Sequence, residues 1–391
     1  MSEKNNKKNN CVYCGDAPIS HAFSYVDSVM AFIAENFFDK IYNMFPRFVT
    51  SVADLILQLF FHILIFLHLI TFSRDKEKAN TLRSKVIWDE AERRGVEVEQ
   101  VLAFGKPLDH YRARLKGKWF YFMSLPIPPL VSKYNWDDKF FLKKKLLQEN
   151  IPVPKYSNVP FSKKEQKKKF DDFIKPIIVK PRSGSRGRHT TTNINTFEDF
   201  ERAVAVARKI SPRVVMEEHL NGYVCRATCV NGVLMGFYRA EPPSITGDGM
   251  KNILELIEEK DKSRQSRVEE IKVSPELKEY IGRVGYAMTD VLPEGKKINL
   301  THRTGRLFGG ATREMLDFLH PSFVPVLEKA AKMTKLPVAG LDCIIPNPEK
   351  DESAQHWGII ECNTLPFIDL HYFALEGEPK NIAGAIWDFW K

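Results

Sequence analysis

The chain has 391 residues, 43% hydrophobic and 27% charged, a length that buries a large core and predicts two or three domains. Its net charge is +9, and the basic excess sits in short runs, Lys143-Lys144-Lys145, Lys163-Lys164 and Lys167-Lys168-Lys169, read here as solvated helix faces. Nothing nearby matches a helix-turn-helix, a zinc finger or an aromatic RNA-binding strand, so no nucleic-acid partner is expected.

Residues 1–20 form a polar tail expected to be disordered. Cys11 and Cys14 make a CxxC within it. A zinc site needs two further ligands, and there is no second CxxC. His21 can contribute one, but two unligated thiols are the expectation. Cys225, Cys229, Cys343 and Cys362 fall in predicted strands, which points to reduced packing residues and a cytoplasmic chain.

Residues 21–75 are expected to be hydrophobic and helical. Phe23, Val26, Met30, Ile33, Phe37, Ile41 and Met44 recur at helical spacing until Pro46. Leu55 to Phe72 then runs for eighteen residues without an acid, Lys or Arg. That reaches the lower bound for a membrane span. Ser51, Asp54, Gln58 and His62 mark a polar stripe, as on a helix lying at an interface. Arg74, Lys76 and Lys78 would hold the following chain at the cytoplasmic face. A membrane-associated segment through residues 46–75 is the expectation, with a buried helical hairpin or an oligomer contact as alternatives. It starts too late for a cleavable signal peptide.

Residues 76–133 read as a small α/β module, with a helix from Lys85 closed by Gly95 and strands near Val98–Phe104 and Lys118–Phe122. A third unit begins at 134. Asp138-Lys139 opens a helix through Leu147. A strand over 175–180 ends in Lys180 and runs into Ser183, Gly184, Ser185 and Gly187. A lysine there neutralises phosphate oxygens, and small residues let backbone N–H groups close on an anion. Neither GxxxxGK[ST] nor GxGxxG is present, and a basic hairpin is the alternative. Thr196 caps a predicted helix from Phe197. Val214–Leu220 reads as a strand, and Tyr223–Val230, Asn231-Gly232 and Val233–Ala240 as a hairpin.

Further on, Asp342 lies in an apolar strand, Val338–Ile345. A polar loop over 346–355 leads to a second strand ending Glu361-Cys362-Asn363. Alternation puts Glu361 and Asn363 on one face, and two adjoining strands can bring Asp342 to them. Two carboxylates and an amide oxygen are hard ligands suited to Mg²⁺ or Mn²⁺. Surface acids closing a hairpin are the alternative.

These segments, in this order, resemble the ATP-grasp superfamily, an α+β fold in which two lobes grip ATP. Further matching stretches are Glu241-Pro242-Pro243-Ser244-Ile245-Thr246-Gly247-Asp248-Gly249, Gly309-Gly310-Ala311-Thr312, His320-Pro321 and Leu370-His371 through Asn381. They are similar to the ATP-grasp module of cyanophycin synthetase and of glutamate–cysteine ligase/glutathione synthetase fusions, over residues 134–391. The resemblance implies Lys139 and Lys180 on the phosphates, and Glu217, Glu218 and Leu220 at the adenine. Arg226 matches an Arg of the family hairpin. The acceptor-side Arg and Asn of the family align with Thr301 and Gly305, so Arg303, Arg306 or Arg313 would have to supply the charge. The ribose acid of the family is replaced by Val224.

The implied activity is an ATP- and Mg-dependent carboxylate–amine ligase. It would form an amide through an acylphosphate on an amino acid or small peptide. A phosphotransferase and a non-catalytic nucleotide-binding scaffold are the alternatives.

Overall fold

A computed structural model describes residues 11–14, 19–30, 63–67, 69–128, 134–184 and 186–391. Most of the expected membrane segment, residues 31–62 and 68, lies outside these. Among the described residues no helix is long and apolar enough to cross a membrane. The apolar run also leaves helical geometry before its end, because Ile70–Ser73 is strand β1, paired antiparallel with β2 (Val98–Ala103) in the register Ile70↔Ala103. That correction moves the start of the second unit back to Ile70 and removes three residues from the predicted span. Residues 21–30 are helical, but Phe23, Val26 and Met30 point outward and Ser28 is the buried position.

The first sheet has the order β1-β2-β3-β4, with β3 (Lys106–Leu115) and β4 (Lys118–Met123). The sequence does not announce β3, because Lys106, Asp109 and His110 interrupt apolar alternation. Helix α1 (Leu82–Arg93), capped by Thr81, packs Val86, Ile87 and Ala91 against Tyr111 and Phe122. This core continues into the last helix of the chain, α8 (Ile382–Trp387), where Trp387 Nε1 donates to Ile87 O at 3.0 Å.

After α2 (Lys139–Gln148) comes a four-stranded antiparallel sheet, order β5-β8-β6-β7, made of β5 (Tyr156–Asn158), β6 (Ile177–Pro181), β7 (Thr191–Ile194) and β8 (Val214–Glu218). Helices α3 (Lys163–Asp171) and α4 (Phe197–Arg208) cover it. Thr196 accepts from Asp199 N, and Glu198 and Asp199 occupy the positive first turn of α4.

The other lobe is a five-stranded sheet, order β13-β10-β9-β14-β15. The hairpin β9 (Tyr223–Val230) and β10 (Val233–Ala240) turns on Asn231 and Gly232, at φ 51° and 73°. Positive φ at both positions is what a two-residue type I′ turn demands. An excursion between β10 and β13 (Thr312–Glu314) carries β11 (Ser244–Thr246), α5 (Ile253–Lys262), α6 (Pro275–Arg283) and β12 (Lys297–Asn299) around its own core of Ile253, Ile257, Leu277 and Ile281. Helix α7 (Phe323–Thr334) and the pair β14 (Val338–Ile345) and β15 (Gly358–Asn363) complete the lobe.

Candidate functional site

A polar row crosses the five-stranded sheet. Glu361 on β15 pairs with Asp342 on β14, Asp342 with Arg226 on β9, Arg226 with Tyr238 on β10, and Tyr238 with Glu314 on β13. Directly opposed residues share a face, so this register puts all five on one side. Asn363, two residues beyond Glu361, joins them. Alternate positions, including Cys225, Ala227, Leu341, Cys343 and Cys362, face the apolar core. Burial pushes the Cys343 and Cys362 thiols well up, as inert packing residues require.

Arg226 grips Asp342 with Nε and Nη2, the latter 2.8 Å from Oδ2. Gly340 leaves room for this fork, since a Cβ there would meet Pro366 Cβ at 2.6 Å and Arg226 Nη1 at 3.3 Å. Nη1 itself is buried and has no hydrogen-bond partner among the described residues. Burial opposes the Arg226 charge, but the Asp342 carboxylate outweighs it and keeps the guanidinium protonated. Asn363 Nδ2 lies 3.2 Å from Asp342 Oδ2.

Helix α2 ties this row to the other lobe. Asp138 caps it, accepting from Phe140 N and Phe141 N at 2.9 Å, and holds Arg182 Nη2 at 2.6 Å. The capping aspartate therefore fixes both the helix start and the chain just after β6. Lys139, Leu142, Lys143 and Leu146 form one buried stripe at helical spacing. Lys139 Nζ reaches the Gly184 carbonyl oxygen at 2.7 Å and Glu361 Oε1 at 3.4 Å. One turn on, Lys143 Nζ lies 2.8 Å from Glu217 Oε1 and 2.8 Å from Ile360 O. Lys180 Nζ takes the other Glu217 oxygen at 2.9 Å.

Lys143 corrects the reading of its run as a solvated face, since its side chain is 0% exposed. Three charges are thus buried together. Burial pushes the Lys143 ammonium down, opposed by the Glu217 carboxylate. Burial alone would raise Glu217, but Lys143 and Lys180 outweigh it and hold its carboxyl below the usual range. A stripe of Lys139, Leu142, Lys143 and Leu146 was the available signal, because a lysine repeating at i+4 beside two leucines shares their buried face.

The remaining expected residues are dispersed. Glu218 accepts from Lys155 N at 2.7 Å and lies 3.2 Å from His356 Nε2. Leu220 is buried beyond the end of β8. Gly184 and Gly187 adopt φ of 125° and 63°, conformations that suit glycine, in the loop after Ser183. Ser185 lies outside the described residues. Arg303 stands apart from the polar row, reaching Arg186 O, Tyr13 O and Glu276 Oε1, each at 3.2 Å. Arg313, on the edge strand β13, covers the Phe318 ring at 4.5 Å. Of Arg226, Arg303 and Arg313, the fold brings Arg226 alone to Asp342. Val224 pairs with Ala240 and Ile344, Thr301 Oγ1 accepts from Arg303 N at 3.2 Å, and Gly305 takes φ 93°.

The two lobes and the order of their strands make an ATP-grasp fold, and the chain is similar to proteins that carry it. It is 28% identical over 263 residues to the glutathione biosynthesis bifunctional protein GshAB of Clostridium perfringens, covering 64% of this chain and 33% of that protein. Cyanophycin synthetase of Trichormus variabilis is 27% identical over 259 residues, covering 64% of this chain and 28% of that one. The chain therefore spans about a third of the length of these curated relatives. A crystal structure of a bifunctional glutathione synthetase from Pasteurella multocida aligns with TM-score 0.52 at 19% identity, covering 80% of this chain and 44% of that one, and shares the fold. No family model matches the chain.

Proposed function

We propose that the chain is an ATP- and Mg²⁺-dependent carboxylate–amine ligase acting on an amino acid or small peptide, with residues 134–391 as the ATP-grasp unit. The observation that carries this reading is Lys139, whose ammonium lies against both the Gly184 carbonyl oxygen and Glu361. One side chain spans the phosphate loop and the acidic row, so the two belong to a single site.

The donor set fits a hard divalent cation. Asp342 and Glu361 present carboxylate oxygens on one face of adjacent strands, and the Asn363 amide, which now turns Nδ2 to Asp342, would add its oxygen by rotating over to the ion. Lys180, Lys139 and the loop of Ser183, Gly184, Ser185 and Gly187 would bind the phosphates, with Glu217, Glu218 and Leu220 toward the adenine. Bound ATP would supply a γ-phosphoryl group to the substrate carboxylate, making it open to attack by an amine. The residues of this chain then orient charge rather than form covalent bonds. Arg226, anchored by Asp342 and with Nη1 directed away from that pair, would hold an anionic oxygen of the activated carboxylate. The GshAB and cyanophycin synthetase relatives support a ligase.

A nucleotide-binding scaffold is the second reading, favoured by Val224, Thr301 and Gly305 at the ribose and acceptor positions. Association with a membrane face through residues 46–75 is a separate part of the proposal. With β1 taking Ile70 onward, Leu55–Leu69 suits an interfacial segment better than a span of about 20 residues.

The test supplies Mg·ATP with pooled amino acids and peptides and follows ADP, phosphate and new masses. Substrate-dependent ADP with a dehydrated adduct is expected, and Lys180→Ala should abolish it. A stable phosphorylated product would identify a phosphotransferase, and tight ATP binding without turnover would leave the scaffold.

A further inference from the structure

The CxxC of the tail does not stand alone. Cys11, Cys14, His21 and His189 converge so that their ligand atoms all lie within 4.8 Å of one another. They form the only such cluster of three or more Cys, His, Asp or Glu side chains among the described residues. Cys14 Sγ is 3.2 Å from His21 Nε2 and 3.5 Å from His189 Nε2, and Cys11 Sγ is 3.7 Å from His189 Nε2. A tetrahedral Zn²⁺ with ordinary Zn–S and Zn–N bonds separates sulfur from nitrogen by about 3.6 Å. The three distances scatter around that edge.

We infer that these four side chains form a structural Zn²⁺ site that staples the amino-terminal tail to the loop after Lys180. Two thiolates and two imidazoles are a soft donor set that selects Zn²⁺ over the Mg²⁺ of the acidic row. Four protein ligands close the coordination sphere and leave no position for substrate. Histidine orientation supplies an independent argument. His189 Nδ1 lies 2.7 Å from Val206 O, and a carbonyl only accepts, so Nδ1 carries the proton. Nε2 is left with its lone pair facing the two sulfurs, the tautomer a metal needs, held by a backbone carbonyl as metal-binding histidines commonly are.

The surroundings fit a staple. Cys14 N donates to Cys11 O at 3.0 Å, closing the turn between the cysteines, and the short helix Val12–Cys14 occupies it. Tyr13 O accepts from His189 N at 3.1 Å and from Arg303 Nη2 at 3.2 Å. Tyr13 Oη donates to Glu279 on α6 at 2.8 Å. Ser28 and Ser211 meet at 2.8 Å, docking the helix over 21–30 beside the end of α4. His189 is two residues beyond Gly187, so the metal would fix the far end of the loop that Lys139 holds at Gly184. Zinc occupancy would then set the order of that loop without touching substrate.

The test uses the full-length protein, expressed with added zinc and purified under a thiol reductant. Elemental analysis is expected to find about one zinc per chain. Cys14→Ser and His21→Ala should lose it, while His21→Cys, which keeps four ligands, should retain it. Replacement by Co²⁺ should give the visible bands of a tetrahedral thiolate site. Trypsin should cut after Arg186 faster once a zinc chelator is added. Reduced wild-type protein that takes up neither Zn²⁺ nor Co²⁺ overturns the site, whether or not the variants fold. Undiminished zinc in both Cys14→Ser and His21→Ala overturns it equally.

Discussion

Lys143 and Glu217 meet at 2.8 Å with neither side chain exposed beyond 1%, joining α2 to β8. Lys180 closes the group from β6, so one carboxylate answers two ammonium groups drawn from separate elements. Such a triad costs desolvation for every member and tolerates the loss of none. Glu217→Gln would leave two cations buried and facing each other, and urea unfolding should show a loss of about 3–5 kcal/mol. Lys143→Met combined with Glu217→Gln should cost less than the two single changes added together. Strict additivity would show that the three charges do not act as a unit.

The same triad predicts an acid limb. Glu217 is held below its ordinary value of 4.5, so its contribution is fully present above that value and is lost as pH falls through the lower native one. Thermal melts from pH 7 downward should show wild type losing stability below about pH 4.5, with Glu217→Gln starting lower and falling less steeply. Parallel curves for the two proteins would remove Glu217 from the acid transition.

Asp342 and Glu361 should act through the cation rather than through the nucleotide alone. Calorimetric titration of ATP with Mg²⁺ present should find binding to Asp342→Asn and Glu361→Gln weakened at least about tenfold, or 1.4 kcal/mol. With EDTA in place of Mg²⁺ the variants and wild type should converge. An equal loss in EDTA would mean that the acids organise the lobe and do not hold metal.

Arg226 separates geometry from charge. Lysine keeps the charge but cannot reproduce the two-point grip on Asp342. Arg226→Lys should lower ADP release by on the order of 10²-fold with little change in ATP affinity, as loss of a group that stabilises developing charge does. A change confined to ATP affinity would move Arg226 from the acceptor side to the nucleotide.

Much of the scaffold was legible because its signals are local. Asn231-Gly232 between two apolar runs specifies a hairpin, Asp138 and Thr196 specify helix starts, and the apolar run Val338–Ile345 specifies a strand. Strand alternation also gave the shared face of Glu361 and Asn363. Strand β3 was hidden because its pairing with β2 and β4, not its own composition, makes it a strand. The end of the apolar run was misread for the same reason: Ile70–Ser73 looks like a helix continuation until β2 is beside it.

What the sequence determined by itself was the set of chemical groups and their order: a lysine before a Gly-rich loop, an acidic pair of strands, a cysteine pair in a polar tail. Periodicity carries that information within one element and no further. Only the tertiary structure decided which groups meet. It buried Lys143 against Glu217, chose Arg226 over Arg303 and Arg313 for the acidic row, and brought His189 to Cys11 and Cys14 across more than 170 residues. Contacts of that range depend on how separate elements pack to share a core, and no window along the chain contains both partners.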